Sequence, residues 1–261
     1  MDSREIEVKR TEKSIHERPL EDRCGYADRS NETLRLQLER YGMYGHFEEL
    51  LSTHVRDGTV VLDVACGNGR WAKNQLDCTA DVDWCGVDLS SQRIREATSQ
   101  IDASGAHFMI GDAEHLPFAS ERFDVIVSSA ALHHLPNWDG LALDEFTRVL
   151  KDDGVLVFNE PLKYNPLAYT FRRVSPGPCH TPHEHPFSYR TFKNTLRRSF
   201  DDVTVRSHHV VSPVIPLMSG ILGLSLPLNL VKTLYDIEQC VLKSQLKGLG
   251  MHMTGVAKSP R

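Results

Sequence analysis

The chain has 261 residues, 40% hydrophobic and 25% charged, with a formal net charge of −5. That length buries enough surface for a core without disulfide or metal support. The mildly acidic balance gives no support for nucleic acid as the main partner, which calls for a concentrated basic face. The six cysteines form no CxxC pair and match no zinc-ribbon spacing. The opening MDSREIEVKRTEKS lacks the apolar core of a secretory signal, so a cytoplasmic protein with reduced thiols is expected.

Residues 1–23 are mixed in charge and poor in large apolar side chains, and are expected to be mobile. Residues 24–56 read as a helical cap. Leu34, Leu38 and Tyr41 share one helical face and Phe47, Leu50, Leu51 and Val55 another, with a break at Gly42 and Gly45. From residue 57 onward β-branched apolar strands alternate with helical stretches. The strands are placed at 60–65, 84–89, 107–113, 123–130 and 154–160, and the helices near 69–80, 90–103 and 138–150. This alternation predicts a doubly wound α/β sheet, mostly parallel, with helices on both faces. Two more strands, at 203–211 and 250–258, complete seven. Cap insertions are expected at 161–187 and 212–247, and Ser188 is the N-cap of a short helix.

The stretch VLDVACGNGR places Asp63 in a strand that otherwise reads as buried, then breaks into Gly67-Asn68-Gly69 before a helix. Glycines there allow a tight turn and close approach of a ligand, and the helix start aims free N–H groups at it. A buried carboxylate is costly unless satisfied, and either a bound ammonium or ordered water and backbone donors would satisfy Asp63. Asp88 closes the second strand, where a carboxylate can accept both hydroxyls of a ribose. Asp112, in GDAEHLPF, can accept from the exocyclic amine of a base. Three acids on three successive strand ends suit an amino-acid head, a ribose and an adenine. Simpler readings exist: Asp63 and Asp112 as turn-stabilising acids, and Asp88 as a helix cap in competition with Ser90.

In these blocks, together with GVDLS, FDVIVSSAALHHL and VLKDDGVLVFNEP, the chain resembles the class I S-adenosylmethionine-dependent methyltransferases, in the type 11 branch, over roughly Thr59 to Pro161. The resemblance implies a Rossmann-like sheet ending in an antiparallel hairpin. It implies S-adenosylmethionine as cofactor and S-adenosylhomocysteine as product. By that resemblance Asp63, Ala65, Gly67 and Gly69 hold the methionine end, Asp88 the ribose, and Leu89, Asp112 and Ala113 the adenine, while Ser129 lies near the sulfonium. Cys66 stands where small residues are common, so its thiol is expected to do nothing. A nicotinamide dinucleotide fold also satisfies G-x-G-x-x-A in GNGRWA, but it leaves Asp63 and GDAEHLPF unexplained.

Methyl transfer from a sulfonium needs an acceptor held in line behind the methyl group, with a base only where the acceptor must lose a proton. His133, His134 and Glu160 stand on the acceptor rim as candidates, each with a structural alternative. The cluster CHTPHEH carries Cys179, His180, His183, Glu184 and His185, but Pro182 and Pro186 argue against a helix presenting its histidines on one face, and no metal is expected. Between Arg206 and Lys232 there is no Lys, Arg, Asp or Glu. Its prolines argue against a membrane span, so it reads as a lid, with a homodimer interface or interfacial membrane contact through 210–231 as alternatives. The following helix places Leu230, Leu234, Ile237 and Val241 on one face. The expected acceptor is a small, largely apolar metabolite, with oxygen, nitrogen or carbon receiving the methyl group. A quinone-pathway C-methyltransferase and a cofactor-binding subunit without catalysis are the other readings.

Overall fold

The computed structural model describes residues 3–16, 45–167, 169–170, 183–210 and 227–261. Seven strands form one sheet in the order β3-β2-β1-β4-β5-β7-β6. They are β1 (Thr59–Val64), β2 (Val82–Asp88), β3 (Ala106–Ile110), β4 (Phe123–Ser129), β5 (Leu150–Pro161), β6 (Phe200–His208) and β7 (His252–Pro260). The first five run parallel, and β7 lies antiparallel between β5 and β6. The strand order reverses between β1 and β4, which opens a crevice at their carboxyl ends.

Side-chain alternation splits the core in two. Leu62, Val64, Ile126, Leu156 and Phe158 point to one face. There they meet α5 (Leu143–Val149) and α6 (Tyr189–Ser199) through Phe146, Phe192 and Leu196. Val61, Trp84, Val125, Val127 and Val157 point to the other face. On that face they meet α2 (Gly45–His54) and α3 (Arg70–Leu76), with Phe47 set edge-on to Trp71. Helix α4 (Ser91–Gln100) buries Ile94 and Ala97. The described part of the predicted N-terminal cap thus covers the sheet face.

Several boundaries move. Strand β3 stops at Ile110, because Gly111 N–H turns back to the Asp88 carbonyl, leaving Asp112 in the turn that follows. The helix predicted over 138–150 is a π-helical turn, Trp138–Ala142, followed by α5. Strand β6 ends at His208 because His209 adopts φ 63, and Met251 N–H closes on both carbonyls.

Residues 3–16, within the segment expected to be mobile, form helix α1 (Ser3–His16), with Val8 and Lys9 buried. Helix α7 (Leu228–Lys243) matches the predicted helix, but on its predicted apolar face Leu230 and Ile237 are exposed while Leu234 and Val241 are partly buried, and Glu238 is buried. The predicted helix around Leu34–Tyr41, Cys24, Cys179, His180 and most of the apolar lid lie outside the described residues. Cys66, Cys78, Cys85 and Cys240 are free thiols. Among the described residues no helix is long and apolar enough to cross a membrane.

Near the carboxyl end of β5, Thr254 Oγ1 lies 2.8 Å from both His46 Nδ1 and His208 Nε2. Burial, reinforced by His209, His46, Arg206 and His252, pushes the His208 pKa down to about 2. Burial and Arg206 also lower that of His46, against Glu49. An unfolded imidazole takes up a proton below about pH 6.5 and the folded one does not, so stability is lost as pH falls through that value. For His208 alone the loss at about pH 5.5 is about 1.4 kcal/mol. Thermal denaturation should therefore show a midpoint that drops between about pH 7.5 and about pH 5.5, with a shallower drop in His208→Gln. Equal slopes in the two proteins would refute this assignment.

Candidate functional site

Strand β1 delivers Asp63 to the crevice on the same face as Val61, opposite Gly86 on β2 and Val127 on β4. Asp63 is 1% exposed, and its Oδ2 makes no hydrogen bond among the described residues. Burial pushes its pKa well up and the nearby Asp88 adds to this. The Trp84 indole lies close enough to favour the charged form, but Nε1 falls short of a hydrogen bond. A buried acid in this state is stabilised by an arriving cation.

The chain then turns through Ala65 at φ 52, Gly67 at φ 58 and Gly69 at φ 77. A left-handed alanine is strained, and such strain gathers at functional turns. The backbone angle at Gly69 favours glycine, and a Cβ there would also crowd Ala97 and Phe108 at 3.2 and 3.3 Å. Gly69 is the N-cap of α3, without a side-chain cap.

Asp88 holds this turn in place. Its Oδ2 accepts from Gly67 N–H at 2.9 Å and its Oδ1 from Ser90 N–H at 2.8 Å. Ser90, not Asp88, caps α4, accepting from Arg93 N–H. Leu89 beside it is partly exposed.

Asp112 is engaged by the protein itself. Lys9 Nζ on α1 lies 2.6 Å from Asp112 Oδ2, 2.7 Å from Glu114 Oε2 and 3.1 Å from Glu5 Oε1. Burial works to lower the Lys9 pKa, but Asp112 and Glu114 outweigh it and raise it. Burial likewise opposes, and Lys9 overcomes, the lowering at Asp112. Asp112 Oδ1 accepts from Glu114 N–H, so the acid is also a turn residue, the simpler reading of the GD pair. Ala113 is buried.

The rim after β4 is organised by Glu160, which is fully buried. Its Oε1 accepts from Ala131 N–H at 3.0 Å and Leu132 N–H at 2.9 Å, and its Oε2 lies 2.8 Å from His133 Nδ1. Because a carboxylate only accepts, His133 carries its proton on Nδ1 and keeps a lone pair on Nε2. Burial and His134 lower the His133 pKa, against the pull of Glu160 and Glu184. Ser129, at the end of β4, is partly exposed and accepts from Asn159 Nδ2 at 3.3 Å. Ala130 follows at φ 53. The His134 ring stacks obliquely on that of His133, with centroids 4.0 Å apart, and faces a cavity of about 330 Å³. Glu5, Val8, Pro136, Asn137, His183 and His185 complete the lining. A larger hollow of about 450 Å³ beside Glu145 and Arg148 contains none of the predicted site residues.

The sequence reading brings Asp63, Ala65, Gly67, Gly69, Asp88 and Ser129 to the switch point between β1 and β4, with His133 and Glu160 on the rim beside it. It missed Lys9, Trp84 and Asn159. Only a search for a cation to offset GDAE would have pointed to Lys9. Replacing Glu160 by Gln removes the charge and turns one of its two oxygens into an NH2 group, so His133 Nδ1 and the donors Ala131 N–H, Leu132 N–H and Ser128 Oγ–H can no longer all be satisfied. Urea denaturation should show a loss of about 3 kcal/mol, and a loss below about 1 kcal/mol would refute Glu160 as the organiser of this rim.

Residues 61–154 match the family described as "Methyltransferase domain". The chain is 34% identical over 118 residues to phthiotriol/phenolphthiotriol dimycocerosates methyltransferase 1 of Mycobacterium ulcerans, covering 45% of this chain and 43% of that protein. It is 29% identical over 124 residues to the fatty-acid O-methyltransferase of Mycolicibacterium smegmatis, covering 48% and 44%. The chain thus spans less than half the length of either relative. Phosphoethanolamine N-methyltransferase 2 of Haemonchus contortus, solved with phosphomonomethylethanolamine and S-adenosylhomocysteine, shares the fold. The TM-score is 0.60 at 15% identity, over 90% of this chain and 58% of that one. Residues 61–154, which carry the glycine turn and the acid-tipped strands, thus match a methyltransferase domain.

Proposed function

We propose that this protein transfers the methyl group of S-adenosylmethionine to an oxygen of a small, lipid-like acceptor. The observation that carries the cofactor half is Asp63: a buried carboxyl with an unsatisfied oxygen, set at the switch point beside a glycine turn. The ammonium of the cofactor satisfies it, the N–H groups at the start of α3 face the carboxylate, and Asp88 takes the ribose. The acceptor half draws on the two relatives, whose names give a dimycocerosate lipid and a fatty acid as substrates.

The acceptor oxygen sits beyond Ser129, towards His133 and His134. Its lone pair attacks the methyl carbon in line with the departing sulfur, whose bonding electrons return to sulfur as the thioether of S-adenosylhomocysteine. The protein's part is to hold the two reactants and exclude water. A carboxylate acceptor needs no base. A hydroxyl acceptor must in addition lose its proton as the new bond forms.

Asp63→Asn keeps the shape and removes the charge. Calorimetric titration with S-adenosylhomocysteine should show affinity reduced by about tenfold or more, with thermal stability unchanged or raised because a buried charge has gone. Unchanged affinity would remove the cofactor placement. With methyl-labelled S-adenosylmethionine and long-chain fatty acids or alcohols, label should enter the organic extract as ester or ether. Label confined to amines, or none from a protein that binds S-adenosylhomocysteine, would overturn the acceptor class while leaving the cofactor intact.

A further inference from the structure

We infer that His133, His134 and Glu184 form a binding site for one divalent transition-metal ion on the acceptor side of the crevice. One ligand atom from each lies within 4.8 Å of the other two. A tetrahedral zinc site built from bonds of 2.0–2.1 Å separates its ligands by roughly 3.3 Å, so side-chain rotation alone closes the gap. The donor set is two imidazoles and one carboxylate, the composition that zinc enzymes combine with an open position for water or substrate. It suits zinc, cobalt or nickel rather than calcium or magnesium, which prefer all-oxygen cages.

Two features mark the site as organised rather than accidental. The first is Glu160, which occupies His133 Nδ1 at 2.8 Å and leaves Nε2 as the coordinating nitrogen. A carboxylate behind a histidine fixes the ring and raises its basicity as a ligand, the usual support of a metal-bound imidazole. The second is the loop that brings Glu184. His185 N–H donates to the His133 carbonyl at 3.0 Å, and Phe187 N–H to the Pro161 carbonyl at 3.0 Å. The residues directly after Glu184 are therefore tied by backbone bonds to His133 and to the end of β5.

This site differs from the one considered in the sequence. There, histidines within the run CHTPHEH had to serve together, and the prolines forbade it. Here the loop supplies one carboxylate and the strand end supplies both imidazoles. The open coordination position faces the cavity of about 330 Å³ that His134 lines with His183 and His185. The ligand class for that position is an oxygen: water, a carboxylate or an alcohol. Seating the acceptor oxygen there rests on the methyl-transfer reading above, whereas metal binding itself does not.

The test uses the full chain, stripped of metal by chelator and then titrated. Cobalt(II) should give the absorption of a low-coordinate N/O site, saturating at one ion per chain, and zinc should displace it. His134→Ala and Glu184→Gln should each weaken zinc affinity by about tenfold or more, and Glu160→Gln, acting through His133, by at least about tenfold. Absence of a cobalt band, or affinity that survives both ligand substitutions, overturns the site. So does loss of binding only on replacing His183 and His185 together, which would put the ion on the loop alone. Titration with S-adenosylhomocysteine in the same samples separates this outcome from failure of the cofactor reading.

Discussion

The crevice exists because one carboxylate ties two pieces of chain together. Asp88 accepts from Gly67 on the turn after β1 and from Ser90 at the start of α4. Without it the glycine turn has no fixed distance from the second strand, since left-handed backbone at Ala65, Gly67 and Gly69 is costly or loosely defined on its own. The same bonds settle which residue caps α4: Ser90 takes that role, and Asp88 points into the turn. Charge-assisted bonds of this kind are stronger than neutral ones.

Glu160 plays the matching role on the acceptor side. It gathers two backbone N–H groups and one imidazole from the segment after β4. Asp88 and Glu160 thus sit on opposite flanks of the switch point, each making a strand end rigid. Rigid strand ends let a fold of this type vary its loops without disturbing the chemistry between them.

The sheet was legible because it is local: β-branched runs, the glycine pair and the acid at each strand end lie within short windows of sequence. So was the correction at Asp112, since a GD pair invites a turn. What stayed hidden depends on contacts far apart in the chain. Lys9 reaches Asp112 across 103 positions, and nothing within residues 1–16 announces a buried lysine. Glu184 meets His133 where Phe187, three residues on, pairs parallel with the end of β5. Helix α7 shows the reverse failure. Its apolar periodicity is real, yet Leu230 and Ile237 are exposed, because periodicity tells which residues share a face and not whether that face is covered.

The distribution of charge along the crevice follows from what a cationic cofactor brings with it. On the proposed placement, adenine carries no charge, and at that end the protein supplies its own cation: Lys9 offsets Asp112 and Glu114. At the methionine end the cofactor carries an ammonium and a sulfonium, and there Asp63 has no such ion pair among the described residues. A lysine at Asp63 would stabilise the empty protein and repel the ligand. An unpaired acid at Asp112 would draw the cofactor's positive groups to the wrong end. Leaving one buried carboxylate unsatisfied costs stability in the free protein, and binding returns it. On that placement the exchange would orient the cofactor as well as attract it, because among the described residues Asp112 has a cation beside it and Asp63 has none.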